Sequence, residues 1–131
     1  MLLLNSKLNI LNPEKLKMKF KDEIRGDIGI LSLKGKLMGT PETEDLHDEV
    51  RSLLGQGAKK VVLDMSGVTW LNSMGVGSIM RSYTSVMNSG GELSLANLTE
   101  KVQSLFFVTQ LIRIFKVYNS VDEAVQKYKV K

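Results

Sequence analysis

The chain has no cysteine and one histidine, His47, and these two shortages remove much of the chemistry that 131 residues could carry. Without thiols there is no disulfide scaffold, iron–sulfur site, thiol nucleophile or cysteine-bearing zinc site. No serine has the glycine spacing of a nucleophile elbow, and no second histidine exists to activate one. His47 lies off the Leu46/Val50/Leu53 stripe of its helix and reads as a solvated residue rather than a catalytic base. No apolar run approaches the roughly 20 residues of a membrane span. Met1-Leu2-Leu3-Leu4 is apolar, but Asn5, Ser6 and Lys7 interrupt it, and neither a basic leader nor a small-residue cleavage site frames it. The expected compartment is therefore a reducing cytoplasm.

Phosphate cradles are also missing. Gly75-Val76-Gly77 starts like a dinucleotide fingerprint, but the third glycine would fall on Met80. Gly55-Gln56-Gly57-Ala58-Lys59-Lys60 lacks the spacing and the Ser/Thr of a P-loop. The formal charge of +4 is unevenly spread: residues 1–36 carry +4, residues 37–100 carry −4, and residues 101–131 carry +4. An acidic middle is a poor surface for a phosphate backbone, so no direct nucleic-acid partner is expected. The few aromatics fall mainly at apolar stripe positions, which points to core rather than a base-stacking platform.

What is present is an alternation of strand and helix signals. Residues 1–17, with Pro13 and three lysines, read as an N-terminal extension, and residues 18–131 as one domain. Met18 to Arg25 and Ile28 to Lys34 predict a hairpin turned by Gly26-Asp27. Thr40 stands as an N-cap with Pro41 at the first helical position, and Glu42, Glu44 and Asp45 follow in the acidic first turn. Leu46, Val50, Leu53 and Leu54 form the stripe of that helix, and Gly55 and Gly57 end it. Lys60 to Met65 is short, β-branched and nearly continuous in apolar character, as in a central strand covered on both faces, with Asp64 organising a turn at its end.

After Ser66-Gly67, Ser73 sits at an N-cap position before a helix carrying Val76, Ile79, Met80, Tyr83, Val86 and Met87. Glu92 to Ala96 is a strand, Thr99 opens a helix, and Lys116 to Tyr118 is an edge strand. Ser120 with Glu123 is a capping box for a terminal helix. The architecture is a small α/β sandwich.

Ser73 is open to two readings. Its hydroxyl can simply cap the helix. Equally, a helix N-terminus is a favourable place for a phosphate, whose charge of roughly −1.5 to −2 meets free N–H groups and the positive dipole end. On the same helix Gly75, Ser78, Arg81, Ser82, Ser85 and Ser89 make a polar face of mostly small residues. It is either an ordinary exposed face or a surface that another protein's backbone can approach.

The run from Val61 to Gly77, Val-Val-Leu-Asp-Met-Ser-Gly-Val-Thr-Trp-Leu-Asn-Ser-Met-Gly-Val-Gly, resembles the STAS domain of bacterial anti-sigma factor antagonists. That family has a strand ending in Asp-Leu-Ser-Gly-Val, then Asp-Ser-Ser-Gly-Leu-Gly opening a helix. The similarity continues through Gly90 to Asn97 and from Thr109 to Phe115. It implies a mixed sheet of four to five strands with about four helices mostly on one face, no enzymatic activity and no cofactor.

The resemblance also implies partner switching. The unphosphorylated protein binds an anti-sigma factor that is a serine kinase, phosphorylation releases it, and a serine phosphatase resets it. Ser73 takes the phosphoacceptor position. Met38, Gly39, Thr40, Asn72, Met74 and Gly75 would form the partner-facing edge, with Ser78, Arg81 and Ser82 along the helix. The expected state is a monomer or weak dimer. Three residues depart from the family pattern: Asn72 replaces Asp, Met74 replaces Ser, and Met38 stands where an acidic residue is common. These leave an alternative, a ligand- or nucleotide-binding accessory module of a transport or stress-sensing assembly.

Overall fold

The computed structural model describes residues 18–129. The extension expected over residues 1–17 lies outside the described residues. Strands β1 (Lys19–Arg25) and β2 (Ile28–Leu37) form the expected hairpin, with Arg25 opposite Ile28. Gly26 turns it at φ +64, a conformation that costs glycine little. Then follow α1 (Glu42–Gly55), β3 (Lys60–Leu71), α2 (Ser73–Asn88), β4 (Glu92–Ala96) and α3 (Glu100–Val108). A short 3-10 turn at Leu111–Arg113, β5 (Lys116–Tyr118) and α4 (Val121–Lys129) complete the order.

The five strands lie in the sheet in chain order, with β1 antiparallel to β2 and every later pair parallel. Parallel neighbours need crossovers, and crossovers of one hand that advance in one direction place their helices on one face. Accordingly Leu46, Val50 and Leu53 of α1, Ile79 and Val86 of α2, and Val102 and Phe106 of α3 share a core with Leu31, Leu33, Val61, Leu63, Leu93 and Leu95. The alternate residues Ile28, Ile30, Val62 and Ala96 face the other way and are covered by Ala124, Val125 and Tyr128 of α4. The mixed sheet with helices mostly on one face is therefore observed.

Three local expectations are corrected. The central strand does not stop at Met65: Asp64 pairs with Ser32 and Gly67 with Lys34, so Met65 and Ser66 bulge opposite Leu33 and β3 continues to Leu71. A side chain at Gly67 would place its Cβ 2.6 Å from the Leu33 carbonyl oxygen, which explains the glycine. Asp64 consequently organises a bulge rather than a strand end. Its Oδ1 accepts from the Ser66 N–H and the Asn97 Nδ2, each at 3.1 Å, and its Oδ2 from the Ser32 hydroxyl at 3.4 Å. Thr40 does not cap α1. Pro41 occupies the cap position without a side-chain bond, and the Thr43 N–H reaches the Gly39 carbonyl at 2.9 Å, so backbone replaces the hydroxyl.

Candidate functional site at the start of α2

β2 and β3 end side by side, Leu37 opposite Leu71, so the loop leaving β2 and the first turn of α2 emerge together. Asn72 joins them. Its N–H donates to the Leu37 carbonyl at 3.3 Å, its Nδ2 to the Met38 carbonyl at 2.8 Å, and its Oδ1 accepts from the Gly75 N–H at 3.1 Å. Asn72, with extended backbone (φ −117, ψ −169), is therefore the N-cap of α2, and the cap role expected of Ser73 is corrected. The asparagine is specific here. An aspartate could accept from Gly75 but could not donate to Met38.

Ser73 becomes the first helical residue, exposed, with no hydrogen-bond partner for its hydroxyl among the described residues. The N–H groups of Ser73 and Met74 likewise lack partners among the described residues, and the first turn of α2 holds no acidic side chain. Met74 is 53% exposed and Met38 42%, which puts apolar surface beside the serine. A Cβ at Gly39 would meet the Met74 sulfur at 3.9 Å. A cleft of about 280 Å³ opens next to Met74 between α1 and α2, bordered by Thr40, Glu44, His47, Asp48 and Arg81.

The structure divides the expected partner-facing residues into two groups. Met38, Thr40, Ser73, Met74 and Arg81 are exposed, and Gly39 and Asn72 are partly so. Gly75, Ser78 and Ser82 are buried and are not surface. The Ser78 hydroxyl donates to the Thr43 carbonyl of α1, and a Cβ at Gly75 would fall 2.1 Å from the Leu37 carbonyl oxygen. Their small size serves close packing inside the protein. His47 is also corrected: it is half-buried, and its Nε2 lies 2.7 Å from the Ser85 hydroxyl, tying α1 to α2. The acidic border of the cleft, Glu44 and Asp48, escaped the sequence reading although their i, i+4 spacing on the polar face of α1 was visible. The aromatics expected mainly at core positions include two that are exposed, Trp70 at 42% and Phe107 at 73%.

The STAS domain family model matches residues 19–124. Over 78 residues the chain is 33% identical to a candidate anti-sigma factor antagonist of Thermotoga maritima, covering 60% of this chain and 69% of that protein. The crystal structure of a candidate anti-sigma factor antagonist from the same organism superposes with a TM-score of 0.73 at 29% identity, over 82% of this chain and 92% of that one. The anti-sigma factor antagonist SpoIIAA, unphosphorylated, superposes at 0.73 with 18% identity over 86% and 98% of the two chains. Its phosphorylated form, from Bacillus, superposes at 0.66, and at this identity the likeness is one of fold. Motif, sheet order and these matches agree, and the chain belongs to the STAS domain family, among the anti-sigma factor antagonists.

Proposed function

We propose that this chain works by partner switching in the cytoplasm, as a monomer or weak dimer. Unphosphorylated, it binds an anti-sigma factor that is also a serine kinase; phosphorylation of Ser73 releases that partner, and a serine phosphatase restores binding. The observation that carries the reading is an exposed serine at the first position of α2 whose capping duty is done by Asn72. Modifying such a hydroxyl removes no hydrogen bond from the fold. The new charge, roughly −1.5 to −2, meets the unpartnered N–H groups of Ser73 and Met74 and the positive end of the helix. The same charge beside Met38 and Met74 would spoil an apolar contact with a partner. Met38, Gly39, Thr40, Asn72, Ser73, Met74 and Arg81 form the contact surface, while Gly75, Ser78 and Ser82 hold α2 in place beneath it.

Affinity capture with mass spectrometry tests this, using wild type, Ser73→Ala and Ser73→Asp with and without ATP. Ser73→Ala should keep its partner in ATP, wild type should lose it, and Ser73→Asp should not bind. Identical partners under all conditions would refute the mechanism. A second reading, a ligand- or nucleotide-binding accessory module, is favoured by a polar cleft of about 290 Å³ at the carboxyl ends of β4 and β5. Ser66, Asn97, Thr99, Gln103, Tyr118 and Asn119 line it. It predicts a thermal shift with a nucleotide or lipid, and no shift across a panel would dismiss it.

A further inference from the structure

α4 covers only the part of its sheet face formed by Ile28, Ile30, Val62 and Ala96. Farther along, strand alternation places Lys34 and Lys36 of β2 on that same face, and pairing adds Lys19 and Lys21 of β1. Lys19 stands directly opposite Lys34, and Lys21 opposite Ser32. All four lysines are exposed, and among the described residues none makes an ion pair. Trp70 pairs with Lys36 and alternates with the core residue Leu71, so it borders the same face. Lys101 of α3 lies 5.5 Å from the centre of its ring. The nearby carboxylates are engaged elsewhere: Glu23 pairs with Arg25, and Asp64 is held by Ser32, Ser66 and Asn97.

Like charges directly opposite across two strands destabilise a sheet, so this arrangement opposes the fold. Lysines commonly protect an edge strand from pairing, which would account for β1. That role does not account for Lys34, which lies between paired neighbours, Lys19 of β1 and Gly67 of β3. Charge complementarity selects the occupant. Residues 1–17 hold three lysines against one glutamate and carry the wrong sign. Among the described residues, a membrane surface would be met on this face by a single exposed large apolar residue, Trp70, with no apolar wedge beside it. A nucleic acid would find no free arginine fork, because Arg25, on the same face of β1, is held by Glu23 and Asp122.

We propose that the open half of this sheet face is a docking surface for an acidic segment of another protein. The segment lies along β1 and β2 with its carboxylates on Lys19, Lys21, Lys34 and Lys36 and an apolar side chain against Trp70. Lysines two apart on a strand are about 7 Å from each other, the repeat of an extended segment with alternate acidic residues. The surface lies on the face opposite α1 and α2, and none of its four lysines belongs to the contact surface proposed around Ser73.

The test is fluorescence anisotropy on the full chain with a labelled alternating Glu-Ala peptide, at low and at physiological salt. Saturable binding that weakens with salt is expected. The pair Lys19→Glu with Lys34→Glu should weaken it by about tenfold or more, whereas Lys116→Glu with Lys127→Glu, an equal change of net charge, should stay within about twofold. Ser73→Asp should bind the peptide like wild type, so this result is separate from the outcome for partner switching. Absence of binding, or equal loss in both charge-reversed pairs, would overturn the proposal. Tighter binding of phosphatidylserine vesicles or single-stranded DNA through the same lysines would overturn the choice of an acidic protein.

Discussion

Replacing Gly75 by alanine tests whether the start of α2 is seated by its contact with the end of β2. On helix propensity alone the change should stabilise the protein by just under ~1 kcal/mol. The added Cβ, however, would sit 2.1 Å from the Leu37 carbonyl oxygen and 3.1 Å from its carbonyl carbon, against backbone that no rotamer change can clear. Overpacking costs about 1–3 kcal/mol, and a backbone contact this short belongs to the upper half of that range, so a net destabilisation of about 1–2 kcal/mol is expected. Gly77, two residues on in the same helix, is the control. Its Cβ would meet nothing within 4 Å, and Gly77→Ala should stabilise by nearly the full propensity gain. Thermal unfolding at neutral pH reads both, at about 3–6 °C per kcal/mol for a domain of this size. The two variants should move Tm in opposite directions. If Gly75→Ala equals or exceeds wild type, the close approach of α2 to β2 does not constrain the site.

Three further expectations can be measured. Asn72→Ala removes the α2 cap and the tether to Met38, and urea denaturation should report a loss of about 1–2 kcal/mol. Ser73→Asp should keep the fold and unfold no earlier than wild type by circular dichroism, because the carboxylate stands at the positive end of a helix; a clear fall in Tm would contradict that geometry. Burial pushes the Tyr128 phenol up to about 12 from an ordinary value of 10.0. Because the raised group is protonated in the folded state, stability should be intact below pH 10 and fall by about 2–3 kcal/mol as pH rises toward 12. Tyr128→Phe should flatten stability between pH 10 and 12, and an unchanged alkaline slope would refute the assignment.

Elements governed by local chemistry were legible in the sequence. Gly26-Asp27 turned its hairpin, Thr99 accepts from the Val102 N–H at 3.4 Å, and Ser120 accepts from the Glu123 N–H at 3.0 Å, all as their residue types require. The strands Glu92–Ala96 and Lys116–Tyr118 also stand where their patterns put them. What escaped depends on contacts between distant segments. Ser66-Gly67 imitates a turn, and only pairing with Leu33 and Lys34 makes it a bulge inside a longer strand. Asn72 and Ser73 are both good caps, and the choice rests on the Met38 carbonyl, 34 residues away. Ser78 and Ser82 read as surface because they are polar. Their i, i+4 spacing, with Gly75 before them, is equally a row of small side chains that lets α1 come close. Size, rather than polarity, was the informative property there.

The sheet's strand order has a consequence for how the molecule comes into being. Each strand pairs with the one made just before it, so the sheet can lengthen as the chain emerges, without waiting for a distant segment to return. The face beneath α4 is different: its apolar residues include Ile28 and Ile30, from the second strand, yet their cover arrives with the last described element. During synthesis that strip stays bare until residues 121–129 follow. At that stage the growing chain is most open to unwanted association.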